Sequence, residues 1–345
     1  MARENDVEKL LDATSRLTEA LIHSVYGEAG VATKDIDEIL HGAKIKRMNE
    51  GLNMIPSENV ISPKARLGAL NAMLAGLDGR YAEGNVGNRY YPGTEASDKL
   101  EAIAISEAKA LFGVKYVDIR PISGNNANTA AFMSLVEGGD IVMSHSIYNG
   151  GHISHAKVGS LGNRIKTKGA DLEGLIVRVP VTSDHYHTDP QATIEKINQY
   201  KPKLLVLGKS AFLFPEPVKE ISETAKKVGT KIYYDGAHVL GLIAGKQFQD
   251  PLQDGAYILA GSTHKTFPGP QRGIILSNSE LKEVDKGVMP GTHSNHHLQT
   301  IVPLIITIRE MAQFGEEYAK QTISNAQALG YSLHKYGLTP EGKEF

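Results

Sequence analysis

Apolar residues near the start of the chain fall at helical intervals. Val7, Leu10, Leu11, Leu17, Leu21 and Ile22 are separated mostly by three, four or seven positions before a break at Gly27 and Gly30. The pattern predicts an N-terminal helical arm over residues 1–45. From Asn53 to Gly93 it becomes irregular and glycine-rich, with one helical stretch inside; long polar loops of this kind in a compact enzyme are usually functional. Beyond Thr94 a regular alternation sets in. Helices are predicted near 97–111, 126–136, 190–199 and 217–228. Short apolar strands are predicted at 116–120, 140–144, 175–179, 204–208, 231–234, 256–261 and 274–277. Short Val/Ile/Leu-rich strands between helices imply an α/β fold with a mostly parallel central sheet covered on both faces. From Leu298 to about Tyr336 the chain reads as helix, with a break expected at Gln313-Phe314-Gly315. No internal repeat or low-complexity tract interrupts this order.

Composition narrows the chemistry. The 345 residues carry 37 Lys+Arg against 39 Asp+Glu, so no net basic field draws the chain to nucleic acid or an anionic membrane. The absence of cysteine removes disulfides, thiolate metal sites, iron–sulfur clusters and a Cys nucleophile together. No apolar run approaches the roughly 20 residues that span a bilayer, and Met1-Ala2-Arg3-Glu4-Asn5-Asp6 is too polar for a signal peptide. The chain reads as soluble and cytoplasmic. A metal site at Gly291 to His297 is not expected, because His296 and His297 are adjacent and cannot both face one ion from a helix.

Three segments carry candidate chemistry. Neither a G-x-G-x-x-G after the first strand nor a P-loop occurs, so dinucleotide and P-loop readings lack support. Instead Ser123-Gly124-Asn125-Asn126 follows a strand and opens a helix, where free N–H groups and the helix dipole favour an anion; an ordinary helix cap is the alternative. Asp235 ends an apolar strand, where a parallel sheet binds ligands, and could meet a cationic ring nitrogen, a metal, or the N–H groups of the next turn. Lys265 follows another apolar strand and precedes the rigid Pro268-Gly269-Pro270 turn. A partly desolvated lysine there can form a Schiff base; a surface lysine in a turn is the bland reading. An anion site, a carboxylate for a ring nitrogen and a lysine for an aldehyde converge on pyridoxal 5'-phosphate.

In order, Ser57-Glu58-Asn59, Tyr81-Ala82-Glu83-Gly84, Arg89-Tyr90-Tyr91, Ser123-Gly124-Asn125-Asn126-Ala127-Asn128, Asp235-Gly236-Ala237-His238 and Thr263-His264-Lys265-Thr266 resemble the signature of the serine hydroxymethyltransferase family, fold-type I pyridoxal phosphate enzymes. The resemblance implies a cofactor-binding large domain at 46–300, and an interdomain helix with the start of a small domain at 301–345. It implies that Lys265 carries the cofactor, that Asp235 pairs with its ring nitrogen, and that His238 and Ser210 neighbour the ring. Ser123, Gly124, Asn125, Ser262 and His264 belong to the implied cofactor site, as do Tyr81 and Gly291, reaching a neighbouring subunit's phosphate. Ser57, Tyr90 and Tyr91 would bind the amino acid substrate, Tyr91 acting across the interface of a homodimer, and Glu83 would be the acid–base residue. The implied reaction interconverts serine and glycine through an external aldimine and a quinonoid, with tetrahydrofolate or a related tetrahydropterin as co-substrate.

Asn149 stands where the family has a ring-stacking His before Gly150-Gly151-His152; it stays among the cofactor-site residues, with Tyr148 or a shifted residue expected on the ring. The Pro268-Gly269-Pro270-Gln271-Arg272-Gly273 loop and Ser294-Asn295-His296-His297 resemble an atypical branch that includes threonine transaldolases. A folate-independent aldolase or transaldolase on β-hydroxy amino acids is therefore the alternative activity. A non-catalytic pyridoxal phosphate-binding relative is the second alternative, disfavoured by the joint presence of Lys265, Asp235, Glu83 and Tyr91. The family continues beyond a position equivalent to Phe345 into a small domain with a substrate-clamping Arg. Most of that domain is expected to be absent here, the sequence being a fragment or completed by a partner.

Overall fold

In the computed structural model the residues described are 16, 34–46, 50, 51, 53–167 and 172–342. The chain divides into two units, Met1–Pro56 and Ser57–Phe345. In the first, helix α1 (Lys34–Ile45) has Asp35 and Asp37 in its first turn and Lys44 in its last, each complementing the helix dipole. The remainder of the predicted arm, apart from Arg16, lies outside the described residues.

The second unit begins with α2 (Pro63–Leu74), a two-stranded hairpin β1 (Gly84–Asn85) and β2 (Asn88–Arg89), and α3 (Glu95–Phe112). The αβ alternation follows: β3 (Tyr116–Asp118), α4 (Gly124–Leu135), β4 (Val142–Ser144), α5 (Ser160–Ile165), α6 (Leu172–Leu175), β5 (Ile176–Arg178), α7 (Pro190–Tyr200), β6 (Leu204–Leu207), α8 (Val218–Val228), β7 (Lys231–Asp235), α9 (Leu240–Ala244), β8 (Ile258–Ser262), β9 (Gly273–Ser277), α10 (Lys282–Val288) and α11 (Ile301–Lys335). Each predicted strand ends within two or three residues of its predicted bounds. The short helices α5, α6, α9 and α10 are too brief to show a helical period.

The seven-stranded sheet has the order β3-β9-β8-β7-β6-β4-β5. Strands β8, β7, β6, β4 and β5 pair in parallel, while β9 runs antiparallel to both its neighbours. The expected α/β architecture with a mostly parallel sheet is what the chain forms. The period-2 alternation of a strand explains its continuous apolar runs. In β6, Leu205 and Leu207 enter one core with Ala108, Ile221 and Ile305, while Leu204 and Val206 enter the other with Phe132, Leu161 and Val288.

Helix α11 runs unbroken through Gln313-Phe314-Gly315, contrary to expectation. Its face from Ile301 to Ala319 is buried, and a Cβ on Gly245 would lie 2.4 Å from the Gly315 carbonyl. Gly245 at the end of α9, having no side chain, lets that helix end against the α11 backbone, and the packing of α11 overrides the local propensity at Gly315. No helix among the described residues is long and apolar enough to cross a membrane.

Arg272 joins distant pieces of this frame. It is fully buried, and it donates through Nε and Nη2 to the Ile119 carbonyl at 3.1 and 2.6 Å and through Nη1 to the His296 and His297 carbonyls at 2.6 and 3.1 Å. It thereby ties the end of β3 to the turn before α11. His296 in turn pairs with Glu101 of α3 at 2.8 Å, and Glu101 with Arg89 of β2 at 2.7 Å. Arg272→Met would leave those carbonyls buried without donors; the expected loss of stability is about 3 kcal/mol or more, read from urea unfolding midpoints. A loss below about 1 kcal/mol would show that the carbonyls find other partners.

Candidate active site

The carboxyl ends of β6, β7 and β8 meet the N-terminus of α4, and the geometry of a cavity follows from that meeting. Its wall contains Gly124, Asn125, Ser210, Asp235, His238, Ser262 and Lys265, together with Asn128, His152, Lys209 and Ala237. Seven of the residues singled out from the sequence are thus brought to one place.

Ser123 caps α4, its hydroxyl accepting from the Asn126 N–H at 3.0 Å. The first N–H groups of the helix have no intrahelical partner and lie at the cavity edge. Gly124 presses on the end of β8 so closely that an added Cβ would lie 2.1 Å from Ser262 Oγ. A side chain there would require the Ser262 hydroxyl to turn away. The cradle suits an anion approaching backbone N–H groups.

Asp235, 5% exposed, ends β7. Its Oδ2 accepts from Asn128 Nδ2 at 2.7 Å and pairs with His155 Nε2 at 2.9 Å, and its Oδ1 accepts from the Ala237 N–H at 3.0 Å. Burial pushes the carboxyl upward, but the His155, Asn128 and Ala237 donors outweigh it and hold Asp235 well below the usual carboxylate range. It is therefore an anion, suited to a protonated ring nitrogen.

Lys265 lies in a loop pinned at both ends. The Thr263 N–H donates to the Arg272 carbonyl at 2.9 Å, and Thr266 Oγ1 donates to the His238 carbonyl at 2.9 Å. Asn59 Nδ2 donates to the Lys265 carbonyl at 2.6 Å and to the Tyr318 hydroxyl at 2.9 Å. Lys265 Nζ stands 3.0 Å from His238 Nε2. Burial lowers the Lys265 amine, opposed by Asp235, and burial together with the Lys265 charge brings His238 down to about 4. A neutral imidazole beside a partly desolvated amine can take up or return its proton.

Other predicted residues lie elsewhere. Asn149 does not line the cavity, whereas His152 does; the turn bearing both is tied to the Ser210 loop by Ser210 N–H donating to the Gly150 carbonyl at 2.6 Å. Tyr148 is 93% exposed. His264 sits half-buried beside Lys265, its imidazole lowered by burial. Ser57 is two residues from Asn59 without lining the cavity. Tyr81, Glu83, Tyr90 and Tyr91 flank the β1–β2 hairpin, and Gly291 lies in the turn after α10. The Tyr81 and Tyr91 rings are 5.9 Å apart, the Tyr90 N–H donates to the Glu83 carbonyl, and the Gly84 N–H reaches Met289 Sδ at 3.1 Å. All three tyrosines are about half or more exposed.

Sequence reasoning missed Asn128, His155, His152 as a wall residue, and Lys209. Asn128 lies one turn into α4 from its cap, and His155 follows His152 by three positions; those spacings were the available signals.

Comparison with known proteins shows the family. The family model described as serine hydroxymethyltransferase matches residues 31–343. The chain is similar to the serine hydroxymethyltransferases of Methanosphaera stadtmanae (47% identical, 84% of this chain and 66% of the relative), Archaeoglobus fulgidus (43%, 90% and 68%) and Korarchaeum cryptofilum (45%, 85% and 68%). The chain spans about two thirds of the length of these relatives.

The His238 environment has a pH consequence. The unfolded chain takes up a proton near the ordinary value of 6.5, the folded one only near 4. The stability this residue contributes is complete above 6.5 and is lost progressively as the pH falls to about 4. His238→Gln is expected to flatten the pH dependence of the unfolding free energy across that window; an unaltered slope would show that His238 is not held neutral.

Proposed function

The chain belongs to the serine hydroxymethyltransferase family, and we propose that it binds pyridoxal 5'-phosphate in this cavity and interconverts serine and glycine with a tetrahydropterin one-carbon carrier. One observation supports the reading above others: an anion cradle at Gly124, a buried carboxylate at Asp235 and a partly desolvated amine at Lys265 face a single cavity. The donor set fits the cofactor's phosphate, ring nitrogen and aldehyde in turn.

In this reading Ser123, Gly124, Asn125 and Ser262 hold the phosphate. Asp235, kept ionised by three donors, holds a proton on the ring nitrogen, and His152 and Ser210 bound the ring. His264 supports the lysine loop. When bound, the cofactor supplies an electron sink for the carbanion formed at the substrate Cα. Lys265 attaches the cofactor through its amine, and His238, neutral at pH 7, exchanges a proton with Lys265 Nζ. Ser57 orients the substrate carboxylate.

Tyr81, Tyr90, Tyr91 and Gly291, exposed, and Glu83, half-buried, lie away from the wall of their own cavity and serve the site of a second copy in a homodimer. There Glu83 acts as acid–base residue and the tyrosines contact the substrate.

Borohydride reduction after loading with pyridoxal phosphate is expected to label Lys265, and Lys265→Ala to remove that label. Asp235→Asn should lower turnover by about 100-fold or more, the range for a lost charge-stabilising contact. Serine–glycine exchange that requires a tetrahydropterin confirms the reading. Conversion of threonine and an aromatic aldehyde without any pterin would replace it with the transaldolase activity.

A further inference from the structure

Two lysines, not one, stand in the wall of the cavity. Besides Lys265 there is Lys209, the second residue after β6, which is 5% exposed. Its Nζ is engaged in a different direction of contacts. It donates to the Tyr186 carbonyl at 2.6 Å and to Thr188 Oγ1 at 3.4 Å, and pairs with Glu216 Oε1 at 3.2 Å. An ammonium has three N–H donors, and three acceptors surround this one.

Glu216, 3% exposed, precedes α8. Its Oε1 also lies 3.2 Å from His145 Nε2, and its Oε2 accepts from the Thr188 hydroxyl. Burial pushes the Glu216 carboxyl up, but His145, Lys209 and the Thr188 hydroxyl together bring it down to about 2, so the carboxylate is charged. Without that charge Lys209 would be a buried ammonium lacking a counter-ion. Such a group loses its proton readily, and a neutral lysine amine is a nucleophile.

We propose that Glu216 is a positioning residue that keeps Lys209 protonated and held by its own partners, so that only Lys265 of the two wall lysines condenses with an aldehyde ligand. The inference rests on the pyridoxal phosphate reading above and concerns how one of two lysines is chosen. Condensation needs a neutral amine. Its lone pair attacks the aldehyde carbon, a C=N bond forms, and the aldehyde oxygen leaves as water. An ammonium has no lone pair to give.

The test maps labelled lysines by mass spectrometry after pyridoxal phosphate and borohydride, which adds hydride to the carbon of the C=N bond while the nitrogen takes a proton from solvent. The natural chain is expected to be labelled at Lys265. Lys265→Ala should carry label at Lys209 at least about tenfold below that level, and Lys265→Ala with Glu216→Gln should recover it at Lys209 by about tenfold or more, one unit of proton affinity. Adding Lys209→Met to the double variant should abolish the recovered label. Label at Lys209 in Lys265→Ala with Glu216 intact that comes within about tenfold of the natural chain's Lys265 level overturns the proposal, as does a folded double variant with none at Lys209. Absence of label from Lys265 in the natural chain counts instead against the cofactor reading. Where circular dichroism shows the double variant unfolded, trace acetylation of the natural chain decides. Lys209 should react at least about tenfold more slowly than Lys265, and equal rates overturn the proposal.

Discussion

The carboxylate of Asp235 is the constraint around which the site is arranged. A buried anion costs several kcal/mol unless donors surround it, and here they come from three places in the chain: Asn128 on α4, His155 after β4, and the Ala237 N–H of its own turn. Each donor also has a structural duty. Asn128 Oδ1 accepts from the Tyr233 hydroxyl within the core, and the His155 carbonyl accepts from Ser144 at the end of β4. Satisfying one charge therefore fixes the relative positions of α4, β4 and β7, the elements that carry the cradle, the His152 turn and the acid.

A second constraint is steric. Close approaches at Gly124, against the Ser262 hydroxyl, and at Gly241, where a Cβ would lie 2.1 Å from the Thr266 carbonyl, bring the helix start and the lysine loop to within reach of one small ligand. Gly124 and Gly241 act as spacers at these two points.

Much of the site was legible because its principal residues stand at strand ends, where an apolar run stops and a functional side chain begins. Asp235 after Lys231-Ile232-Tyr233-Tyr234, and Lys265 just after Ile258 to Ser262, are visible in this way. The supporting residues were not. Asn128 is one polar position in a helix, Glu216 one acid before another helix, and Arg272 one cation in a loop; their meaning comes from partners 107, 7 and 153 positions away. The break expected in α11 failed for a similar reason, since the burial of its face from Ile301 to Ala319 outweighs the local weakness at Gly315. Local pattern marks where chemistry is presented, and tertiary pairing marks what holds it.

The antiparallel strand β9 fixes when the site can come into being. It pairs Asp118 with Ile275 in register, its Gly273 N–H donates to the Pro121 carbonyl at 2.9 Å, and a Cβ on Gly273 would lie 2.3 Å from the Ser123 carbonyl. The start of α4 is thus seated on a strand translated some 150 residues later. Closing so long a loop precedes any gain from the contacts it makes possible. A nascent chain emerging from the ribosome holds the anion cradle, Asp235 and Lys265 in that order, yet has nowhere to seat a ligand until β9 has been synthesised and inserted. Ligand affinity is consequently a property of a fold that already holds β9, and a bound ligand stabilises that state rather than any partial structure formed before it.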